Sequence, residues 1–330
     1  MRPESIAYFR SGIGNLIQAT PAMQALASLD PSGQIDVCLD RGWMGHDSGA
    51  IAVRDILESC PWVHEVLVLE HAAELPSGQY RRGLVPVQSE LSEVGKAVLR
   101  LSKQPAWPSA PWRVGLLHET WANMRIVRML YGYRGPTPHK YCPTDPDYPN
   151  LSGTPRPIIG VCNGAFGAEM WKKKRWPWWA ELCRALKRYW RGSIVAVGGR
   201  EELAGVPAEL ITVDYTGRLP ILQSARVIAQ CDLFITTDTA CMHIADALEV
   251  PLVALFGPTL ASKNGPLSSN AIAVRSPSEC APCQYTERFA SCGDYVCMRE
   301  LRPEMVMRAA RSVMNRTYHG AGRARDAAAR

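Results

Sequence analysis

The chain has 330 residues, enough to bury two ordinary hydrophobic cores, so two domains of roughly 150 residues are expected. With 47% hydrophobic and 21% charged residues it has a soluble globular balance, and no apolar run approaches the roughly 18 residues that span a bilayer. The net charge of +6 is modest, partly gathered at Lys172-Lys173-Lys174-Arg175 and in the C-terminal tail, and is compatible with anionic substrates or an anionic membrane surface. The opening MRPESIAYFR leads straight into a strand and lacks a signal peptide's apolar core, so a cytoplasmic location is expected.

From the start, Ser5–Arg10 reads as a strand and Ser11–Asn15 as a glycine turn. Thr20-Pro21 reads as the start of a helix running through Ala22, Met23, Leu26 and Leu29. The Gly12-x-Gly14 here lacks the third glycine of a dinucleotide fingerprint. Gln34–Leu39 and Val63–Leu69 read as further strands with a helix over Ile51–Cys60 between them, a repeating β-α pattern. Residues 70–112 carry no clear period, and Pro105, Pro108 and Pro111 argue against a regular element at their end. A helix is expected from His118-Glu119 to Tyr131. The prolines from Pro136 to Pro157 then mark an extended linker and a domain boundary.

A second α/β unit begins at Pro157–Cys162, with Pro177 at the first turn of a helix over Trp178–Tyr189. Strands follow at Ser193–Gly199 and Ile211–Asp214, and a helix at Leu219–Ala229. Cys231–Thr259 then reads as strand, turn, helix, strand. Its turn, Thr237-Asp238-Thr239, stands where Asp or Thr caps free backbone N–H groups, and the same groups can hold a phosphate. Gly257-Pro258-Thr259 leaves the second strand at the same sheet edge, where ligands of open α/β folds bind. Ala271–Val274 is one more strand, Arg302-Pro303-Glu304 starts a last helix through Val313, and the residues from Thr317 onward read as a mobile tail.

Of the eleven cysteines, Cys38, Cys60, Cys142, Cys162, Cys183, Cys231 and Cys241 are scattered among apolar residues. Cys280, Cys283, Cys292 and Cys297 instead form a C-x2-C-x8-C-x4-C cluster. Four thiolates this close suggest a tetrahedral, structural Zn²⁺ or iron site, with four reduced cysteines in a loop as the rival reading.

The segments GIGNLIQATPAMQAL (12–26), Lys174-Arg175-Trp176-Pro177 and DTACMHIADALEVPLVALFGPT (238–259) occur in the order found in glycosyltransferase family 9. His118-Glu119 with Asn123, before Leu130–Pro136, is similar to that family's mid-chain segment. The chain thus resembles the ADP-heptose:lipopolysaccharide heptosyltransferases, and some relatives carry an iron-binding cysteine finger. The resemblance implies an α/β fold of the GT-B class, two Rossmann-like domains facing across a cleft. The expected parts are an acceptor domain over 1–150, a donor domain over 151–315 with the cysteine-rich loop at 280–297, and a flexible tail over 316–330.

It further implies inverting transfer of heptose from ADP-heptose to a lipopolysaccharide-like glycan or a protein, without a catalytic divalent ion. Peripheral contact with the inner membrane is an added expectation. Lys174 is expected at the donor phosphates, where its rival reading is a solvated charge. Asp238, Thr239 and His243 would line the donor site, and Glu201 or Glu202 would be the ribose-binding acid. Gly12, Gly14, Asn163 and Gly257 complete the expected donor set.

Where relatives often carry an Asp as general base, this chain has Asn15, and an amide cannot take the proton at neutral pH. His118, Glu119, Asp40 and His46 are the candidates to supply a base in its place. Alternatively the proton leaves through donor phosphate or water, or the protein binds nucleotide sugar or glycan without turnover. A third class, a nucleic-acid module, is suggested only by the interleaved WKKKRWPWW (171–179), and no nucleic-acid partner is expected.

Overall fold

The computed structural model describes residues 1–45, 48–76, 78–102, 117–164, 169–200 and 202–328. His46, Glu201 and the stretch holding Pro105, Pro108 and Pro111 lie outside the described residues. The chain divides into two compact units, Met1–Pro143 and Thr144–Arg330, and the division falls within the proline-rich run.

The first unit contains β1 (Ser5–Tyr8), α1 (Ile13–Ser28), β2 (Ile35–Asp40), α2 (Arg41–Met44), α3 (Ser48–Glu58), β3 (Val63–Leu69), β4 (Arg82–Leu84), α4 (Glu93–Ser102) and α5 (Glu119–Tyr131). Its strands form a parallel sheet in the order β3-β2-β1-β4. One face carries Ile6, Tyr8, Cys38 and Leu69, covered by Val94 and Val98 of α4.

Two local features depart from expectation. First, α1 starts at Ile13, so Gly14 and Asn15 lie in its first turn and Pro21 lies inside it. Proline lacks the N–H that would bond the carbonyl of Ile17, but the Thr20 hydroxyl donates to that carbonyl at 2.8 Å and the helix continues. Second, the stretch without a clear period holds β4 and α4. A three-residue strand shows no alternation, and Gly95 weakens the helical pattern of α4. Glycine is needed there: a Cβ on Gly95 would lie 2.6 Å from Cε1 of Tyr8.

The second unit contains β5 (Ile158–Cys162), a 3-10 turn (Glu169–Lys174), α6 (Trp179–Trp190), β6 (Ser193–Ala196), β7 (Val213–Asp214), α7 (Ile221–Ala229), β8 (Leu233–Thr237), α8 (Ala240–Ala247), β9 (Leu252–Phe256), α9 (Ala261–Asn264), β10 (Ala271–Arg275), α10 (Glu287–Ser291), α11 (Val296–Glu300) and α12 (Pro303–Ala328). Its six strands are parallel in the order β10-β9-β8-β5-β6-β7. The core on one face joins Trp176, Trp179, Leu182 and Leu186 to Val306, Ala310 and Val313 of α12, across Ile159, Ile235 and Val253. Pro177 stands just before the cap residue Trp178, one step earlier than expected. The backbone of α12 stays helical to Ala328, through the segment read above as a tail, where alanine and arginine favour a helix once started.

The chain winds outward from β5 through β6 to β7, then returns to lay β8 on the other side of β5 and winds outward again. The β5/β8 junction is therefore a topological switch point, the place where open α/β sheets leave a crevice for ligand.

Candidate functional site

Parallel pairing brings the strand exits of the second unit abreast. Cys162 is paired with Thr236, Val161 with Ala196, and Thr237 with Leu255. The segments that follow those ends, Asn163-Gly164, Gly198-Gly199, Asp238-Thr239 and Gly257-Pro258-Thr259, thus emerge on one sheet edge.

On this edge two places 64 residues apart in sequence meet: the Lys174 ammonium stands 3.4 Å from Oδ2 of Asp238. Both are withdrawn from water, with side chains 12% and 7% exposed. Lys174 also lies over the Trp171 ring, 5.0 Å from its centroid. The solvated-charge reading of Lys174 therefore fails. A buried cation at a helix start beside a switch point can meet the charge of a diphosphate.

Thr239 is the N-cap of α8, its Oγ1 accepting from the N–H of Cys241 at 3.0 Å. The Thr237 hydroxyl donates to the Gly164 carbonyl at 2.8 Å, joining the β8 and β5 exits. Gly164 must be glycine for this approach, since a Cβ would lie 2.9 Å from Oγ1 of Thr239. His243 is buried on α8, one turn beyond the cap. The buried Thr259 hydroxyl has no hydrogen-bond partner among the described residues. Thr259 closes the Gly257-Pro258-Thr259 motif, and its local sequence carries no signal of a role for that hydroxyl.

Asn163 faces the protein's own backbone. Its Oδ1 accepts from Trp176 N–H at 2.7 Å and its Nδ2 donates to Trp176 O at 3.1 Å. Both amide atoms thus clip the Lys174–Pro177 segment to the end of β5. Glu202 folds back over the glycine exit of β6, accepting from the Cys162 thiol at 3.3 Å. Gly198 has φ 118, and a Cβ there would collide with the Glu202 carboxylate. A thiol–thiol contact with Cys241, followed by burial, raises the Cys162 thiol well above its usual range. Gly257 leaves room for Met298 and for Cys297, whose sulfur would stand 3.2 Å from an added Cβ.

The candidates of the first unit are arranged differently. Gly12 caps α1 without a side-chain bond, and the Asn15 amide donates to the Ser11 hydroxyl at 2.7 Å. His118 is the N-cap of α5, its Nδ1 accepting from Thr120 N–H at 3.2 Å. Buried Glu119 accepts from the amides of Gln18 at 3.0 Å and Gln88 at 2.7 Å, tying α1 to the segment after β4. Asn123 accepts from Val87 N–H at 2.9 Å. Asp40 caps α2 and faces Arg10 at 3.6 Å. Among the described residues, the base candidates His118, Glu119 and Asp40 are therefore each already engaged.

Cys280, Cys283, Cys292 and Cys297 line one small cavity with Lys173, Pro258, Arg288 and Phe289, and all four are free thiols. Cys283 and Gln284 N–H groups both bond the Pro258 carbonyl at 2.9 Å, pinning the loop to the β9 exit. Burial and the neighbouring thiols push Cys297 up to about 12. Burial also raises Cys283, against the opposing pull of Arg288 and Lys173. Among the described residues only Asp36, His64 and Glu65 bring three metal-ligand atoms mutually within 4.8 Å. That group reads as a satisfied buried carboxylate: Asp36 takes His64 Nδ1 and Tyr80 OH, each at 2.8 Å. The four thiols share a wall at wider spacing.

The aromatic residues of 171–179 are engaged within the unit. Trp176 and Trp179 are buried, Trp178 Nε1 donates to Arg299 O at 2.9 Å, and Trp171 packs on Phe289. The interleaving of bases and rings there is a packing pattern.

Two parallel-sheet units, one with a lysine and a capped helix start at its switch point, define an α/β protein with a charged pair at the ligand edge of its second sheet. The sequence pattern of glycosyltransferase family 9 (heptosyltransferase) matches residues 118–292, more than half of the chain, and the chain belongs to that family. Lipooligosaccharide heptosyltransferase 2 of Haemophilus influenzae is 36% identical over 130 residues, 36% of this chain and 37% of that one. The chain thus spans little more than a third of the length of the curated relatives it matches. The solved structure of E. coli ADP-heptose lps heptosyltransferase II superposes with a TM-score of 0.67 at 21% identity, covering 96% of this chain and 100% of that one. The iron-containing dodecameric glycosyltransferase TibC from enterotoxigenic E. coli H10407 gives 0.62 at 13% identity, covering 95% and 76%. These likenesses define the fold as α/β of the GT-B class.

Proposed function

We propose that this protein is an inverting glycosyltransferase that moves heptose from ADP-heptose to a lipopolysaccharide-like glycan or a protein acceptor. One observation carries the reading: the meeting of Lys174 with Asp238 at the start of α8, beside the β5/β8 switch point. Family membership and the printed activities of the relatives support the donor and acceptor class.

In such a transfer the acceptor oxygen bonds to the anomeric carbon as the bond from that carbon to the diphosphate oxygen breaks. The hydroxyl proton must leave, and ADP departs with added negative charge. Lys174 is assigned to that charge, together with the N–H groups at the start of α8, so no divalent ion is required for the step. Asp238 holds the ammonium in place before donor arrives. The 3.4 Å separation is long for a charged hydrogen bond, and the ammonium can shift toward phosphate oxygens. Asn15, turned onto Ser11, is assigned no proton; water or the donor phosphate takes it.

The cysteine loop fits a structural Zn²⁺ or iron in its donor chemistry. Cys280, Cys283, Cys292 and Cys297 would hold the ion, and a tetrathiolate with a divalent metal carries net negative charge, which Lys173 and Arg288 in the same wall would offset. Such an ion would cross-link the loop and supply no open position for substrate.

Among the described residues no helix is long and apolar enough to cross a membrane. Leu117, just before α5, and Trp121 and Met129 on it are exposed, with Arg125 and Arg128 also exposed on that helix. This surface supports peripheral contact with an anionic bilayer.

The test is release of labelled heptose from ADP-heptose in the presence of a lipopolysaccharide-core acceptor, for wild type and Lys174→Ala. Acceptor-dependent release by wild type alone supports transfer. Tight ADP-heptose binding without release identifies the catalytically silent alternative that Asn15 suggests.

A further inference from the structure

In sequence Lys173 is one of four consecutive bases and reads as a solvated charge. In the structure it is 7% exposed. Its ammonium donates to the carbonyls of Phe289 and, at 2.9 Å, Ala290, and lies 5.4 Å from the Phe289 ring centroid. A lysine is buried only where its charge finds such partners, so these carbonyls hold the segment in place.

Phe289 stands between Cys283 and Cys292, and its ring also meets Trp171, centroids 5.2 Å apart. Trp171 in turn lies under the Lys174 ammonium. Neighbouring residues of one short 3-10 turn therefore serve different walls, Lys173 the cysteine cavity and Lys174 the Asp238 carboxylate. Two routes join them, the shared backbone and the Phe289–Trp171 contact. Displacing the cysteine loop must move the footing of Lys174.

We propose that Lys173 is a positioning residue that ties the four-cysteine loop to Lys174, so that the loop's conformation sets affinity for a nucleoside diphosphate. The consequence for affinity rests on the diphosphate reading of Lys174; the mechanical coupling does not.

The test uses the full chain and two readouts, hydrogen exchange of residues 169–176 and affinity for ADP. Losing the charged hydrogen bonds in Lys173→Met should speed exchange of 169–176 by at least about tenfold and weaken ADP binding about tenfold. Exchange in 240–247 should stay unchanged. Lys173→Arg, which keeps donors for both carbonyls, should restore both readouts in part. Replacing Cys283 and Cys297 together with Ser should reproduce the Lys173→Met pattern. Lys174→Met should weaken ADP binding with wild-type exchange. If Lys173→Met does not fold, Phe289→Leu removes the ring contact and replaces it.

Unchanged exchange of 169–176 in the folded Lys173 or cysteine variants overturns the coupling. Faster exchange with unchanged ADP affinity overturns the link to the donor site. Failure of wild type to bind ADP sinks the diphosphate reading and the affinity half of the proposal, while the exchange arm still decides the coupling.

Discussion

The starts of α1 and α8 are the same device, a parallel strand feeding a short turn and a helix, finished in opposite ways. At α1 the turn closes on itself: Gly12 offers no side chain and Asn15 bonds Ser11, four residues away. At α8 the turn is capped by Thr239, and its acid, Asp238, is completed by a lysine 64 residues distant. The first is neutral and local; the second is charged and exists only when two segments have folded together. The cation brought to it is what sets the start of α8 apart from an ordinary capped helix, because N–H groups alone also serve capping.

The sharpest way to break this contrast is to strand the cation. Asp238→Ala leaves the Lys174 ammonium buried without its carboxylate and should cost about 3–5 kcal/mol of stability, read by denaturant unfolding. Equal stability to wild type would mean that the pair is held by nothing but proximity. Next in size, Lys174→Ala should lower heptose transfer by about 10²–10³-fold, the loss typical of a removed transition-state donor. A fall well under about tenfold in labelled-sugar release would remove Lys174 from that role.

Gly257→Ala tests the packing behind the edge. The added methyl meets Met298 and Cys297, so a loss of about 1–3 kcal/mol is expected in thermal unfolding. The smallest effect belongs to the neutral turn: Asn15→Asp puts an acid into the first turn of α1 and should raise stability by about 0.3–1 kcal/mol. A lowered melting temperature would show that the amide's bond to Ser11 matters more than the helix field.

Much of the frame was legible because its signals are local. The apolar runs at Leu233–Thr236 and Leu252–Phe256 appeared as strands, and His118 appeared as a helix start. The failures were also physical. Pro21 looked like a helix beginning because its rescue by the Thr20 hydroxyl depends on a side-chain rotamer. α4 was hidden because Gly95, which weakens its pattern, answers to the Tyr8 ring 87 residues earlier in the chain. Asn163 was expected to face ligand, yet its amide is spent on Trp176.

Sequence alone determined the alternating strands and helices, the glycine and threonine turns, the cysteine spacing and the family motifs. All of these follow from side-chain chemistry over a few neighbouring residues. Only the tertiary structure decided that Lys174 leaves water beside Asp238 itself and that its neighbour Lys173 is buried against the cysteine loop. The reason is solvation: a lysine's charge is stable in water anywhere, and whether it can leave water depends on the carbonyls and carboxylates that distant segments bring to it.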